Sequence, residues 1–236
     1  PKGVEITKGN LLNFASGMKD VFPDGAMLSI SNVSFDAFML ECVVPLLNGL
    51  TVIFADEAAQ EDPGALAGLI RGSGVDYMCM TPSRLATFLE YPEFRRALSG
   101  RRGILCGGEA FSGELLSELK KLTGAHIYNQ YGPSETTVGV SLAVLDSCTE
   151  INAGRPMPNC MLYVLDDRLE PLPVGVFGEL YVGGDCVGRG YRGAPELTRG
   201  AFLEDPFRTG GTMYRTGDIA AWTAEGTLRL RGRRDR

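Results

Sequence analysis

The segment Asn129–Thr137 reads NQYGPSETT and gathers several reactive side-chain types into one short stretch. Tyr131 offers a flat face to a nucleobase. Ser134 and Thr136 offer hydroxyls to phosphate oxygens, and Glu135 is a hard oxygen donor of the kind Mg2+ takes. Gly132 and Pro133 are turn residues between the aromatic and the hydroxyl cluster. The same residues also suit an ordinary capped strand-to-helix turn, and their types alone leave both readings open. Cys106–Ser112 (CGGEAFS) places Gly107 and Gly108 after an apolar run, where backbone can approach a flat ligand or simply turn before a helix. In Tyr214–Trp222 (YRTGDIAAW), Asp218 follows a glycine. It is placed to accept two ribose hydroxyls, or to make Asp-Gly turn chemistry. Asp36 sits in SFDAFMLE among apolar residues, where burial without a partner is costly. It is therefore either exposed at a helix start or the counter-charge of a cationic ligand group. Gly178–Gly193 (GELYVGGDCVGRGYRG) is glycine-rich, but no well-patterned helix follows and Pro195 intervenes. A dinucleotide fingerprint fails in that context, and the segment is predicted to be a hairpin with a turn.

These groups need a scaffold, and the composition supplies a globular one. The chain has 236 residues, a formal net charge of −6 and 44% hydrophobic residues, which is not a disordered or fibrous composition. The acidic balance argues against nucleic acid as a partner, because such binders need a basic face. A small anionic ligand stays open, since local donors hold phosphate on acidic proteins too. Cys42, Cys79, Cys106, Cys148, Cys160 and Cys186 are scattered, and His126 is the lone histidine. No CxxC knuckle exists, so reduced core thiols and a cytoplasmic location are expected. The longest apolar stretch, Met39–Ala55, is broken by Glu41, Pro45, Asn48 and Gly49, which argues against a bilayer span. No charged-then-apolar leader opens the chain. It starts at Pro1 rather than Met and ends in a charged run, as an excised piece would.

Hydrophobic periodicity then orders the elements. Strands are predicted at Leu50–Phe54, Val75–Met80, Gly103–Cys106 and His126–Asn129. Helices are predicted at Gly64–Arg71, Ser83–Glu90 (Ser83 as N-cap) and Ser112–Leu122. In the last, Leu115, Leu116, Leu119 and Leu122 share a face and Ser112 caps. This alternation implies an α/β fold with a mostly parallel sheet flanked by helices. Near Asn152–Asn159 the pattern changes to short strands: Cys160–Leu165, Gly178–Val182, Met213–Arg215 and Leu228–Leu230. Two parts are expected, an α/β subdomain over 1–151 and a β-rich subdomain over 152–236. Internal repeats and low-complexity tracts are absent.

Taken in order, these segments resemble the adenylation domains of nonribosomal peptide synthetases, members of the adenylate-forming (AMP-binding) superfamily. The opening PKGVEITKGNLLN is similar to the end of the family's phosphate loop. SFDAFMLE resembles the segment with the amino-group aspartate. NQYGPSET, GELYVGGDCVGRGY and YRTGD resemble three further core motifs, and GRRDR the start of the hinge motif. The resemblance covers essentially the whole chain. It implies that Lys2 closes the phosphate loop. Tyr131 would stack on adenine, with Asn129 and the Gly107–Gly108 backbone at its edge. Ser134, where the family usually has Thr, would keep the hydroxyl for the α-phosphate, with Gly132 and Thr136 in the same nucleotide loop. Glu135 would hold Mg2+, Asp218 would grip the ribose, Arg233 would sit near the nucleotide, and Asp235 would be the hinge of a C-terminal lid.

The implied reaction joins an amino-acid carboxylate to ATP, giving aminoacyl-AMP and pyrophosphate. The acyl group would pass to a phosphopantetheine thiol on a carrier domain, beside condensation domains of the same synthetase. The implied substrate lining is Asp36, Ala37, Leu40, Cys79, Leu105, Gly107, Gln130, Val138 and Gly139. Asp36 would pair the α-ammonium. The rest has no second charge, so a neutral side chain of medium to large size is expected, apolar or capable of one hydrogen bond. Departures from the family pattern are the missing body of the phosphate loop, the missing lid with its lysine, and Leu230 where many relatives carry Tyr. They lead to the expectation that the fragment is inactive alone. The alternatives are an acyl- or aryl-CoA ligase of the same superfamily and a non-catalytic nucleotide-binding module.

Overall fold

The computed structural model describes residues 2–148 and 150–234. By its internal contacts the chain divides into two compact units. One comprises Met18–Gln130 and Val144–Ile151, the other Pro1–Gly17, Tyr131–Ala143 and Asn152–Arg236.

The first unit is built on parallel strands in the order Thr51–Phe54, Ala26–Ser29, Tyr77–Met80, Gly103–Gly107, His126–Tyr131. Helices Pro63–Gly72, Pro82–Phe88, Pro92–Ala97 and Gly113–Leu122 lie between strands in the chain. Their starts follow from local chemistry. Asp62, Thr81 and Ser112 each accept a hydrogen bond from the backbone N–H three residues on, while proline takes the first position of the first three helices. The predicted cap Ser83 is thus replaced by Thr81, because Pro82, with its preset φ, already occupies the first helical position. Ser112 caps as expected, and Leu115, Leu116 and Leu119 are buried. The strand Ala26–Ser29 was not legible in the sequence. Its four residues are all buried, so no alternation marks it, and it is too short to stand out otherwise.

Within this unit Glu41 is 1% exposed, inside the π-helical segment Met39–Val43. Its Oε2 accepts the Ile30 and Ser31 N–H groups at 2.7 and 2.8 Å, and its Oε1 accepts the Ser31 hydroxyl at 2.7 Å. Burial still pushes its pKa upward; these bonds and the more distant Arg84 only moderate the rise.

The second unit carries an antiparallel sheet ordered Phe202–Glu204, Thr212–Trp222, Gly178–Gly184, Cys160–Leu165, with Leu228–Arg233 also paired to Thr212–Trp222. Leu162, Val164, Leu180, Val182, Ala220 and Leu228 bury one alternating face. The hairpin predicted over Gly178–Gly193 does not form. At Gly184 (φ +95°) the chain leaves the sheet, and Gly190–Tyr191 pairs instead with Val4–Glu5. The helix Lys8–Met18 holds this excursion: Asn10 Nδ2 donates to the Asp185 and Val187 carbonyls at 2.7 and 3.1 Å. Glu179, 4% exposed, accepts two bonds from Arg215 (2.7 and 2.9 Å) and one from Arg234 (2.8 Å). Burial would raise its pKa, but the two guanidinium groups outweigh burial and leave it below the usual value. Among the described residues no helix is long and apolar enough to cross a membrane.

The two buried glutamates act oppositely on stability. Folding binds the Glu41 proton more tightly, so its contribution is full below the unfolded value near 4.5 and is lost as pH rises through the raised folded pKa. Glu179 contributes above its unfolded value and loses that as pH falls through its depressed folded pKa. Urea unfolding across pH should therefore show Glu41→Gln gaining on the wild type as pH climbs from 4.5. Glu179→Gln should show its largest deficit at neutral pH, shrinking in acid. A Glu41→Gln difference that is flat with pH contradicts the assignment.

Candidate functional site

The loop Tyr131–Val140 is closed by its own backbone. Val140 N–H donates to the Tyr131 carbonyl at 2.8 Å, and the short 3-10 turn Ser134–Thr136 lies between. A Cβ on Gly132 would come within 2.5 Å of Gly139 Cα and 2.7 Å of the Val138 carbonyl, so only glycine fits the crossing. Thr137 and Val138 both take left-handed backbone (φ +62° and +68°). For a β-branched residue that conformation is strained and persists only when the surroundings impose it. Here they do. The Thr137 hydroxyl donates to the Cys186 carbonyl at 2.7 Å, and the Gly188 N–H donates to the Glu135 carbonyl at 2.9 Å.

The side chains of this loop reach two other strands of the same unit. Tyr131 Oη donates to Asp218 Oδ2 at 2.5 Å, and burial followed by the Asp218 charge pushes the phenol's pKa up. Asp218 lies opposite Arg233 in the strand register, with Arg233 Nη1 at 3.9 Å from its Oδ1; the Asp218 N–H donates to the Thr216 hydroxyl at 3.0 Å. Tyr191 Oη donates to Glu135 Oε1 at 2.6 Å, and burial and this bond push Tyr191 to about 12. Both phenols therefore stay protonated at neutral pH. The Lys2 ammonium stands over the Tyr191 ring, 4.9 Å from its centroid.

Of the residues singled out in the sequence, Lys2, Tyr131, Gly132, Ser134, Glu135, Thr136, Val138, Gly139, Asp218 and Arg233 belong to this unit. Ser134 is exposed and Glu135 half-buried. Thr136 is fully buried and donates its hydroxyl to the Pro133 carbonyl at 3.0 Å, so it holds the loop and does not face outward. Asp235 lies outside the described residues. Tyr191 was missed: it stood inside a quoted glycine-rich motif, but only pairing with Val4–Glu5 turns it to Glu135.

The other unit holds the remaining residues. Parallel register pairs Cys79 with Leu105 and Gly107 with Gln130. With a period of two, these four share one sheet face. Gly107 is tightly placed, since a Cβ there would meet the Gln130 carbonyl at 3.0 Å. Gly108 adopts φ +80°, and Asn129 is buried in its strand on the opposite face. Gln130 is buried, with its amide 3.8 Å from Met18 Sδ. Asp36 and Ala37 are half-buried at the turn leading into Met39–Val43, and Leu40 is buried. The Asp36 carbonyl accepts the Met39 N–H at 2.8 Å. Glu41, five residues on, was not picked out as buried and hydrogen-bonded; the apolar run around it gives no hint of the Ile30–Ser31 donors.

An α/β sheet unit with a β-rich unit carrying a Tyr–Gly–Pro–Ser–Glu loop against a Gly-Asp strand defines the adenylate-forming class. The chain belongs to the AMP-binding enzyme family, which it matches over residues 1–192. Over its full length it is 39% identical to a dimodular nonribosomal peptide synthase of Bacillus subtilis (strain 168) and 34% identical to enterobactin synthase component F of Escherichia coli (strain K12). It spans 10% and 19% of those relatives respectively. A four-domain nonribosomal peptide synthetase bound to AMP and glycine matches the whole chain with a TM-score of 0.90 at 33% identity, the chain covering 18% of it. An artificially fused adenylation–PCP di-domain from Klebsiella oxytoca matches 99% of the chain with a TM-score of 0.87 at 26% identity, the chain covering 48% of it.

The crossing at Gly132 yields a direct test. Gly132→Ala should destabilise the chain by about 1–3 kcal/mol through overpacking against Gly139, read as a lowered thermal midpoint. Gly113→Ala, at a helical glycine with open space around it, should leave the midpoint near the wild-type value. Equal midpoints for the two variants contradict the closed loop.

Proposed function

We propose that the chain is the core of an adenylation domain that activates an amino acid with ATP, for transfer to a phosphopantetheine thiol on a carrier domain of a nonribosomal peptide synthetase. The observation that carries this reading is the Tyr131–Asp218 hydrogen bond of 2.5 Å, together with the Glu135 contact to Tyr191. They gather an aromatic, a hydroxyl loop and two carboxylates in one unit of a chain from the AMP-binding family. The full-length likeness to synthetases supports the same assignment.

In the proposed reaction a substrate carboxylate oxygen bonds to the α-phosphorus of ATP. The bond from that phosphorus to the bridging oxygen breaks, and pyrophosphate leaves with the electron pair. Tyr131 provides the stacking face for adenine, and Asp218 accepts the ribose hydroxyls. The Ser134 hydroxyl and the Lys2 ammonium offset charge growing on the α-phosphate. Among the described residues no three His, Cys, Asp or Glu gather to hold a metal by themselves. Glu135 is a single hard carboxylate, which suits Mg2+, an ion usually held by one or two carboxylates plus substrate phosphates. When bound, Mg2+ would neutralise phosphate charge.

For the amino acid, Asp36 pairs the α-ammonium. Cys79, Leu105, Gly107 and Gln130 contribute a sheet face that is apolar apart from one amide, which favours a neutral side chain. ATP–pyrophosphate exchange by an intact adenylation domain containing this chain, with an amino-acid panel, tests this. Neutral amino acids should drive exchange, and Asp36→Ala should lower it by about tenfold to a hundredfold, the worth of a charged hydrogen bond. Exchange driven only by aryl acids and indifferent to Asp36→Ala points to an aryl ligase instead, and a clear preference for lysine or aspartate overturns the neutral-side-chain reading.

A further inference from the structure

Tyr191 touches both charged groups at the loop. Its hydroxyl donates to Glu135 Oε1 at 2.6 Å, and its ring lies under the Lys2 ammonium at 4.9 Å. The residue is 6% exposed and fixed on every side. Its N–H donates to Thr198 Oγ1 at 2.9 Å, and its strand pairs with Val4–Glu5. Its ring packs edge-on against Phe202 (5.5 Å, 81°), which in turn packs on Tyr214 at 5.1 Å. The Gly188 N–H, three residues earlier, holds the Glu135 carbonyl at 2.9 Å. One short segment, Gly188–Tyr191, therefore grips Glu135 by both its backbone and its carboxylate.

We infer that Tyr191 is a positioning residue, whose hydroxyl orients the Glu135 carboxylate for a divalent cation and whose ring seats the Lys2 ammonium. This rests on the proposed assignment of Glu135 and Lys2 to the metal–nucleotide complex. A flexible glutamate offers its oxygens in many directions. A donor fixed at one oxygen leaves the carboxylate in one orientation, and outer partners of this kind are typically worth tenfold to a hundredfold in metal affinity. The face of an aromatic ring attracts an ammonium and leaves the hydrogens that point away from the ring for oxygens.

The test is Mn2+ binding, followed by electron paramagnetic resonance, in the presence of α,β-methylene-ATP. Tyr191→Phe removes one oxygen and keeps the ring. It should weaken Mn2+ by about tenfold or more, with its melting temperature near the wild-type value. Tyr191→Phe combined with Glu135→Ala should bind Mn2+ no worse than Glu135→Ala alone, because the hydroxyl acts through that carboxylate. Tyr191→Leu should in addition weaken the metal-free nucleotide, through Lys2. If Tyr191→Phe does not fold, Thr198→Val, which frees the Tyr191 N–H, should show a smaller loss of Mn2+ affinity in the same direction. Unchanged Mn2+ affinity in the folded variant, or losses that simply add in the double variant, overturns the inference while leaving the function standing. Unchanged affinity in Glu135→Ala, or no Mn2+–nucleotide binding by the wild type, overturns the metal assignment beneath both.

Discussion

The site depends on a loop that would not hold its shape alone. Between Tyr131 and Val140 the chain places two non-glycine residues in left-handed backbone and crosses itself at Gly132 with no room for a methyl group. Such conformations cost on the order of 1–3 kcal/mol each. They are offset by partners far away in sequence: the Cys186 carbonyl for Thr137, the Gly188 N–H for Glu135, and Asp218 for Tyr131. The strain and its compensation explain why the β-rich unit takes in both the chain's opening residues and this loop. The opening strand Val4–Glu5 fixes Gly190–Tyr191, and that segment fixes the loop.

Charge is handled differently in the two units. In the unit built on parallel strands, the backbone and hydroxyl donors to Glu41 do not offset the cost of burying its charge, so its environment favours the proton. In the β-rich unit, Glu179 lies between Arg215 and Arg234, and its environment favours the anion. Arg234 also reaches Asp167 at 2.9 Å, which ties the chain just before residue 235 to the sheet. Glu135 belongs to neither pattern. It is half-buried and accepts a hydrogen bond from the Tyr191 phenol at 2.6 Å, which orients its carboxylate. An oriented carboxylate suits a group whose partner arrives with a ligand.

Much of the fold was legible because local signals were strong. The Ser112 cap and the leucine face after it, and the apolar runs at Tyr77–Met80 and Cys160–Leu165, all speak within a few residues. What failed to read locally was decided by distant partners. Ala26–Ser29 is buried on both faces and shows no period. Thr81 displaces Ser83 as a cap by one hydrogen bond. The glycine-rich run after Gly178 looked like a hairpin, yet the better partners for its two ends were Cys160–Leu165 and Thr212–Trp222 for one and Val4–Glu5 for the other.

The same division runs through the site. The order of the motifs, from PKG through NQYGPSET to YRTGD, is written in the sequence and by itself places the chain in its family, because residue type and spacing are properties of the chain alone. That Thr136 turns inward, that Tyr131 meets Asp218, and that an unremarked Tyr191 holds Glu135 were settled only by folding. The last two contacts join residues more than fifty positions apart, and no local pattern specifies which of many distant groups will complete a hydrogen bond. Only the packing of strands that brings them within 3 Å does so.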